Sequence, residues 1–338
     1  MGVDLKDLLV RRERTLDDLK GTYAVDAFNT LYQFITIIRQ PDGTPLMHGG
    51  KITSHVSGLF YRTCSMLEKG IFPVYVFDGE PHELKKKTIA ERAQAKAEAE
   101  ELMRKAREAG RTEEAAKLAQ RTARLTKDMV VEAKELLEMM GLPFVQAPSE
   151  GEAQCAWMAS EGIVDAAASQ DYDSLLFGAP RLMRNITISG RRKIPYRNAY
   201  AEVVPEEVLL EESLSALGIT RQKLVWIGIL IGTDFNEGVH GIGPKKALKL
   251  VKEFDSFDSI NQKTGQQIDY AQLEDLFMKP AHVQIEKSQL KPKEPQHEKI
   301  LEFMVEARGF SKERVENSLA RAFKTPEDTR QNQLKKWF

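Results

Sequence analysis

Acidic residues occur in four places where a carboxylate could do chemistry. Asp26 and Asp78 each follow an apolar run, and two closely spaced pairs, Glu-x-Glu and Asp-x-Asp, come later in the chain. The six residues are Asp26, Asp78, Glu150, Glu152, Asp171 and Asp173. Carboxylates that are brought together repel one another strongly unless a cation neutralises them. Oxygen ligands of this kind select Mg²⁺, with Mn²⁺ as the alternative.

A pair of divalent ions fits a carboxylate set of this size. One Mg²⁺ usually takes one or two carboxylates and keeps several waters. Two ions about 4 Å apart can hold a scissile phosphate, activate a water molecule and stabilise the leaving oxygen. The sequence therefore predicts a two-ion site in which some of the carboxylates act through water.

Each acid also has a purely structural interpretation. Asp78 could sit in a plain turn, and Asp26 could be the N-cap of a helix. Ser149 and Glu152 have the spacing of a capping box, and Asp171 could cap the next helix. Taken singly, these alternatives stay open. Taken together they are weaker, because a capping box explains one member of its pair only.

Strands that alternate with helices must position these acids. The sequence predicts strands at 22–25, 72–77, 143–145, 166–168 and 181–183, and helices at 28–38, 52–67, 127–140 and 151–160. This alternation predicts an α/β fold with a mainly parallel central sheet. Because the carboxyl ends of parallel strands share one edge, where ligands bind, the acids should converge there. From residue 205 onward we expect helices, apart from an irregular segment at 279–296.

Residues 85–127 differ in character from the rest of the chain. They contain 13 basic and seven acidic residues, a net charge of +6, and few large apolar side chains. Gly110 divides the segment into two predicted helices. Helices without a wide apolar face are not buried deeply, so the pair should project from the body. It is either a solvated hairpin, a coiled coil with a partner, or a basic arch over a nucleic-acid site.

A glycine turn at 241–243 is the most specific local pattern. Gly241 and Gly243 precede Pro244, which suits the first position of a helix, and Lys245 and Lys246 follow. Backbone amides at such a turn can approach a phosphate, and the helix N-terminus favours the anion. This predicts a helix-hairpin-helix-type phosphate clamp; an ordinary packing corner between helices is the alternative. The turn lacks the Ser or Thr of a P-loop, which argues against an ATP site.

The last eight residues place Gln331, Leu334, Trp337 and Phe338 at helical spacing. Exposed aromatic side chains are costly unless something buries them. The tail either packs back on the body or docks in a groove of a partner protein, and we favour the partner.

The overall composition excludes several classes of protein. The chain has 338 residues, 42% hydrophobic content and a formal net charge of −1. No stretch approaches the roughly 20 apolar residues that span a bilayer, so no membrane is expected. Cys64 and Cys155 are isolated, which indicates reduced core residues of an intracellular protein. We expect no secretory signal.

Together, these motifs resemble the flap endonuclease family of the archaeal and eukaryotic kind, over essentially the whole chain. The matching motifs, in order, are Gly2-Val3-Asp4, Val25-Asp26-Ala27, Val76-Phe77-Asp78-Gly79, Glu150-Gly151-Glu152-Ala153, Gln170-Asp171-Tyr172-Asp173, Gly232-Thr233-Asp234 and Gly241-Ile242-Gly243-Pro244. The resemblance implies a PIN-like nuclease fold. It also implies cleavage of 5′ flaps at single-strand/double-strand junctions, with 5′–3′ exonuclease activity, in Okazaki fragment maturation and repair.

The resemblance also implies roles for the acids. Asp78 and Glu152 would bind mainly one metal ion, and Asp171 and Asp173 mainly the other. Asp26, Glu150 and Asp234 would hold metal-bound waters. Asp234 enters the set through the resemblance alone, because it follows no predicted strand.

Further residues take implied roles in binding DNA and partners. Lys85 and Arg92, at the base of the arch, would steer and polarise the scissile phosphate, and Tyr32 would stack near the unpaired terminal nucleotide. Gly2 would lie close to the DNA, and the glycine turn would hold the duplex with a K⁺ ion. The tail resembles a binding box for the replication sliding clamp. Glu80 and His82 depart from many relatives, and we expect little effect on metal binding.

The expected organisation follows from these assignments. It comprises an N-terminal nuclease region (1–84), a projecting helical arch (85–127), an internal nuclease region (128–204), a helical DNA-binding subdomain (205–324, with its turn at 232–250) and a tail (325–338). We expect a monomer in the archaeal cytoplasm, associated with the nucleoid, or in the nucleus if the source is eukaryotic. Alternatives are a junction resolvase of the same superfamily and a non-catalytic DNA-binding accessory of the clamp. Seven carboxylates argue against the accessory, because they would repel DNA unless metal ions were present.

Overall fold

The computed structural model describes residues 2–40, 43–193 and 200–323; of residues 191–193, 200 and 201 it describes the backbone only. The strands in chain order are β1 (Arg11–Glu13), β2 (Gly21–Asp26), β3 (Met47–His48), β4 (Lys51–Ile52), β5 (Ile71–Phe77), β6 (Phe144–Gln146), β7 (Ala166–Ala168), β8 (Arg181–Arg184), β9 (Gly190–Lys193), β10 (Tyr200–Val203) and β11 (Glu206–Leu209).

The helices that the same residues form are α1 (Ala27–Ile37), α2 (Ser54–Glu68), α3 (Lys86–Glu108), α4 (Thr112–Arg121), α5 (Lys127–Met139), α6 (Gly151–Ser160), α7 (Asp173–Leu176), α8 (Leu210–Leu217), α9 (Arg221–Ile231), α10 (Pro244–Glu253), α11 (Phe257–Thr264), α12 (Tyr270–Met278), α13 (His297–Leu301) and α14 (Lys312–Ala322). Short 3₁₀ turns occur at Leu16–Asp18, Glu83–Lys85 and Lys287–Leu290, and α13 continues into a π-helical turn, Glu302–Glu306.

A seven-stranded sheet in the order β1-β11-β8-β7-β2-β5-β6 forms the centre of the molecule. The five strands β8, β7, β2, β5 and β6 are parallel to one another, whereas β11 pairs antiparallel with both β8 and β1. The predicted α/β fold with a mainly parallel sheet is therefore confirmed. All five predicted strands are present, with bounds that differ by at most two residues.

Apolar side chains on both faces of the sheet explain why its central strands are almost continuously hydrophobic. On β5, Val74 and Val76 belong to one core cluster, and Tyr75 and Phe77 belong to the other. Strands that are buried on both faces lose the polar alternation of a surface sheet. Helices α6 and α9 cover one face, and α2, α5 and α14 cover the other. This double cover holds the carboxyl ends of the parallel strands rigidly in place.

The expectation of helix from residue 205 onward was wrong at its start. Glu206–Leu209 is a strand that pairs with β8 and β1. Contacts of Glu207 stabilise the strand. Its buried carboxylate accepts hydrogen bonds from Arg14 at 2.5 and 2.8 Å and from Arg181 at 2.7 Å. Glu and Leu favour helices, but pairing between distant segments outweighs this local propensity. The sheet thus takes strands from three of the predicted regions, whose boundaries stay a prediction.

Helices α3 and α4 form a hairpin that turns at Gly110, which adopts a positive φ of 71°. Along its 23 residues α3 buries two side chains, Ala99 and Ala106. The hairpin packs mainly on itself, as expected from its small apolar residues. Its surface charges are partly neutralised by ion pairs within the hairpin, such as Arg104 with Glu101.

No single helix in the described ranges is long and apolar enough to cross a membrane. Helices α8 and α9 have suitable length and composition only as a pair bent by 83°. Seven of the eleven residues of α9 are buried in the core.

Candidate active site

The predicted acids lie at the edge of the sheet where the parallel strands end. Asp26 is the last residue of β2, and Asp78 directly follows β5. Asp171 and Asp173 follow β7, and Asp173 is the first residue of α7. The remaining two, Glu150 and Glu152, stand at the start of α6. The convergence follows from the parallel pairing of β2 with both β5 and β7.

Asp26 and Asp78 are both held by backbone amides. Asp26 caps α1, because its Oδ1 atom accepts a hydrogen bond of 3.0 Å from the N–H of Asn29. Oδ1 of Asp78 accepts one of 2.7 Å from the N–H of Gly151, at the start of α6. A Cβ atom at Gly151 would lie 2.5 Å from this oxygen, so only glycine permits the approach. The cap at Asp26 is real, but it does not exclude a second role for that carboxylate.

Two other structural interpretations are wrong. The capping box at the start of α6 is not formed, because Glu150 is the N-cap residue and makes no side-chain cap. Glu152 instead accepts a hydrogen bond of 2.7 Å from Oγ of Ser169. Asp171 does not cap the following helix, whose N-cap is Tyr172. Local helix capping therefore does not account for Glu152 or Asp171.

The N-terminal segment covers the pair that follows β7. The N–H of Val3 donates a hydrogen bond of 2.6 Å to Oδ1 of Asp173. Gly2 lies so close that a Cβ atom there would meet Cβ of Asp171 at 2.6 Å and Oδ1 of Asp173 at 2.7 Å. The structure thus places Gly2 against the carboxylates.

Burial and mutual repulsion act on the protonation of this cluster. Burial, and then the carboxylate of Glu150, raise the pKa of Asp78 to about 6. Burial raises the pKa of Asp173 to about 7, even though the hydrogen bond from Val3 favours its charged form. Burial also raises the pKa of Asp26 and of Glu152 well above their ordinary values, with further contributions from Asp78 and Asp173 respectively. The site is therefore short of positive charge.

Two basic residues at the base of the arch supply part of that charge. Nζ of Lys85 lies 2.5 Å from Oε2 of Glu150 and 3.7 Å from Oδ2 of Asp234. Nη2 of Arg92 lies 2.5 Å from Oδ1 of Asp234. Burial alone would lower the pKa of Lys85, but the neighbouring carboxylates raise it above its ordinary value. Asp234 follows no strand of the sheet, but Lys85 joins it to Glu150.

The donor set fits divalent metal ions that prefer oxygen. Its members are carboxylates, four of which are destabilised as anions by burial and by one another. A bound cation would relieve both effects. Burial raises the pKa of the adjacent Cys155, which favours its neutral thiol. Within the described ranges, no three acidic, histidine or cysteine side chains are already gathered at metal-ligand spacing.

Tyr32 lies on α1 under the arch. Nζ of Lys96, from α3, lies 5.0 Å from the centre of the Tyr32 ring. A second link between the arch and the body joins Lys87 to Glu237, beside the glycine turn. These contacts hold the basic hairpin next to the edge of the sheet where the carboxylates lie.

The glycine turn leads into α10 with open space around it. Gly241 has a positive φ of 77°, and Gly243 is the N-cap of α10, with Pro244 in the first turn. A Cβ atom at either glycine would meet nothing within 4 Å. Lys245 and Lys246 are exposed on the same end, while Ile242 anchors the turn in the core. The open space at the glycines and the exposed lysines leave room for a phosphate at this helix N-terminus.

The residues that contact the site and that the sequence did not indicate include Asn29, Lys96, Ser169, Ser174 and Phe235. The spacing of Asn29, three residues after Asp26, and that of Ser169, two before Asp171, would have indicated them. Phe235, whose ring centre lies 5.6 Å from Nζ of Lys85, gave no such signal. The predicted clamp-binding residues Gln331, Leu334, Trp337 and Phe338 lie outside the described residues.

Comparison with known proteins places this arrangement in a family. Two family models match the chain, the XPG N-terminal domain over residues 4–99 and the XPG I-region over residues 141–234. The protein named flap endonuclease 1 of Pyrococcus furiosus is 50% identical over 341 residues, covering 100% of this chain and 99% of that protein. That of Archaeoglobus fulgidus is 49% identical over 343 residues, covering 100% of both.

Solved structures show the same likeness. Flap endonuclease-1 from Methanococcus jannaschii superposes with a TM-score of 0.75 at 40% identity, covering 95% of this chain and 98% of that one. The catalytic core of Rad2, solved in complex with a DNA substrate, superposes with a TM-score of 0.71 at 25% identity, covering 96% and 100%. Since the sequence match extends over the full chain at about half identity, this chain belongs to the flap endonuclease family.

Proposed function

We propose that this protein is a structure-specific nuclease that cleaves 5′ DNA flaps at single-strand/double-strand junctions, with 5′–3′ exonuclease activity, in Okazaki fragment maturation and repair. The observation that carries the proposal is the edge of buried carboxylates with raised pKa values beneath a basic arch. A protein that only binds DNA gains nothing from burying these groups. Relatives named flap endonuclease 1, about half identical over the whole chain, support the same function.

Seven carboxylates would hold two Mg²⁺ ions, or Mn²⁺ in their place. Asp78 and Glu152 would hold mainly one ion, and Asp171 and Asp173 mainly the other. Asp26, Glu150 and Asp234 would contribute through water. When bound, the ions would supply Lewis-acid activation of water and charge stabilisation of the leaving oxygen.

Lys85 and Arg92 act on the scissile phosphate in this proposal. The neighbouring carboxylates raise the pKa of Lys85, which favours its positively charged form. Lys85 pairs with Glu150 and Arg92 pairs with Asp234, so a phosphate that enters the site would compete with these carboxylates for the two cations. Tyr32, at the base of the arch, would stack near the unpaired terminal nucleotide.

The glycine turn would bind the duplex away from the cut. Amides near Gly241 and Gly243 and the charges of Lys245 and Lys246 would contact phosphates, which carry no sequence information. A K⁺ ion at this turn would extend the same contact. Such binding suits an enzyme that must recognise the shape of a junction at any sequence.

The tail supplies the proposed partner. Gln331, Leu334, Trp337 and Phe338 have the spacing of one helical turn, which suits a groove on the replication sliding clamp. We place the protein, as a monomer, with the chromosome in the archaeal cytoplasm, in keeping with its archaeal relatives. Deletion of residues 331–338 should remove stimulation by the clamp and leave basal cleavage unchanged. A deletion that lowers the melting temperature instead would show that the tail packs on the body.

A labelled double-flap substrate tests the activity directly. Cleavage at the junction should occur with Mg²⁺ and stop with EDTA. Asp171→Asn should abolish cleavage and retain flap binding, because it removes a charge that the ions need while leaving the basic surfaces intact. Asp255→Asn, at a fully exposed side chain, is the control. Full turnover of Asp171→Asn in Mg²⁺ would overturn the two-ion assignment.

A further inference from the structure

Asn29 connects two of the carboxylates that come from different strands. It lies in the first turn of α1, three residues after Asp26. Its side-chain amide donates a hydrogen bond of 2.9 Å to Oδ2 of Asp171, while its backbone N–H donates to Asp26. One residue therefore sets the distance between an acid at the end of β2 and an acid beyond β7.

Gln33 lies one helical turn further along α1 and selects the orientation of Asn29. Its Nε2 atom donates a hydrogen bond of 2.8 Å to Oδ1 of Asn29. With that oxygen engaged, the NH₂ group of Asn29 faces Asp171. The reverse orientation would bring an amide oxygen against the carboxylate and an NH₂ group against that of Gln33, so both contacts would be lost.

The amide oxygen of Gln33 makes this arrangement unfavourable for the stability of the folded state. Its Oε1 atom is buried and has no hydrogen-bond partner in the described part of the chain. A buried acceptor without a partner destabilises the folded state, so its presence at this position calls for an explanation. An apolar side chain would avoid the cost, but it could not orient Asn29.

The neutral amide of Asn29 and the charged ammonium group of Lys85 affect their carboxylate partners differently. Lys85 cancels charge on Glu150, whereas the amide of Asn29 fixes one oxygen of Asp171 without neutralising it. The second oxygen and the full charge remain available for a cation. A hydrogen bond from a neutral amide thus opposes the repulsion that would turn Asp171 away from Asp173.

We propose that Asn29 is a positioning residue that holds Asp171 ready for a divalent cation, and that Gln33 acts through Asn29. The inference rests on the proposed function, in which Asp171 binds one of the two ions. Neither residue touches the reacting atoms in this proposal. Their contribution lies in the affinity of the site for metal.

Four variants separate this role from simple support of α1: Asn29→Leu, Gln33→Leu, the double variant, and Thr36→Val as the matched control. Among the described residues, Oγ1 of Thr36 bonds only to carbonyl groups of its own helix, so its loss should affect α1 without affecting Asp171. The measurements are the Mg²⁺ concentration for half-maximal flap cleavage, Mn²⁺ binding to the DNA-free protein by calorimetry, and the melting temperature in EDTA. Asn29→Ala replaces Asn29→Leu if the larger side chain prevents folding.

Loss of a side chain that orients a metal ligand typically weakens metal affinity by about 10- to 100-fold. Asn29→Leu should therefore raise the half-maximal Mg²⁺ concentration and the Mn²⁺ dissociation constant by a factor in this range. Gln33→Leu should shift both in the same direction by less. The double variant should match Asn29→Leu alone, because Gln33 has nothing left to orient. Thr36→Val should leave both metal measurements unchanged.

Two results would overturn the inference. One is an Asn29 variant that folds and binds Mn²⁺ as tightly as the unmodified protein. The other is an effect of Gln33→Leu that persists undiminished when Asn29 is already leucine. If the unmodified protein does not cleave flaps in Mg²⁺, the proposed function fails, yet the Mn²⁺ calorimetry still decides the role of Asn29.

Discussion

Lys85 and Glu150 join the arch to the carboxylate cluster through a hydrogen bond of 2.5 Å. Lys85 is the N-cap residue of α3, and Glu150 is the N-cap residue of α6. Because each residue starts a helix, a shift of the arch would move the ammonium group relative to the sheet edge. The basic hairpin and the acidic site are therefore mechanically linked.

Replacement of Lys85 should affect the rate of cleavage far more than DNA binding. Lys85→Met removes a cation aimed at the reacting phosphate, and the loss of one such group typically costs about 10²- to 10³-fold in rate. Single-turnover cleavage and flap affinity should be measured together. Lys86→Met is the control, since Lys86 is exposed and pairs with Glu83. A loss of affinity with an unchanged rate would contradict the role given to Lys85.

Without metal, the carboxylate cluster should make stability fall as the pH rises. The pKa values of Asp78 and Asp173 are raised to about 6 and about 7, so the folded protein holds these protons more tightly than the unfolded chain. Their contribution is complete below about pH 4 and is lost as the pH rises through about 7. Each pKa unit corresponds to about 1.4 kcal/mol, which makes the loss on the order of a few kcal/mol.

Thermal unfolding in EDTA between pH 5 and pH 8 measures this loss. Asp173→Asn should raise the melting temperature of the metal-free protein at pH 8 more than at pH 5. Comparison with the variant is needed because burial lowers the pKa of His55, whose contribution has the opposite sign and is lost as the pH falls below about 6.5. A pH-independent difference between the two proteins would show that the cluster is not under electrostatic strain.

A single methyl group at position 2 should disturb the site. In Gly2→Ala the new Cβ atom would approach Asp171 and Asp173 to less than 3 Å, so the N-terminal segment or the carboxylates must move. A displacement of about 1 Å near reacting groups can cost about 10²-fold in rate. Cleavage should fall by this order while DNA affinity stays within a few-fold. Unimpaired cleavage by Gly2→Ala would mean that the N-terminal segment leaves the site when substrate binds.

The glycine turn offers a test of DNA binding that leaves the fold intact. Gly243 has a φ of −96° and open space around it, so Gly243→Ala should fold normally. Its methyl group would stand where a phosphate approaches the amides, and the loss of about one hydrogen bond, about 1 kcal/mol, should weaken duplex affinity several-fold. The measurement is duplex binding, with the melting temperature as control. Unchanged affinity would favour the ordinary packing corner.

Gly241→Ala provides the contrast within the same turn. Its positive φ of 77° is unfavourable for alanine, so this variant should lose stability as well as affinity. Comparison of the two glycines separates contact with DNA from the conformation of the backbone.

The sequence by itself determined the fold class and the identity of the predicted acids. Apolar runs that end in Asp26 and Asp78 must be buried strands, since their side chains are hydrophobic on both faces. Parallel strands bring their carboxyl ends to one edge, so separate acids were bound to meet there. Patterns of this kind are local, and local patterns can be read without knowing which segments pair.

Only the tertiary structure decided what depends on contacts between distant segments. Glu206–Leu209 is a strand because Glu207 pairs with Arg14 and Arg181, about 190 and 26 residues away along the chain. The capping box at Ser149 and Glu152 does not form, because Glu150 is the N-cap residue and the carboxylate of Glu152 accepts a hydrogen bond from Ser169. In the sequence, Asn29 and Gln33 look like ordinary helix residues. Their roles become visible only in the fold, where α1 lies beside Asp171. The contribution of a polar side chain to stability depends on its hydrogen-bond partner, and the tertiary structure determines which partner lies within reach.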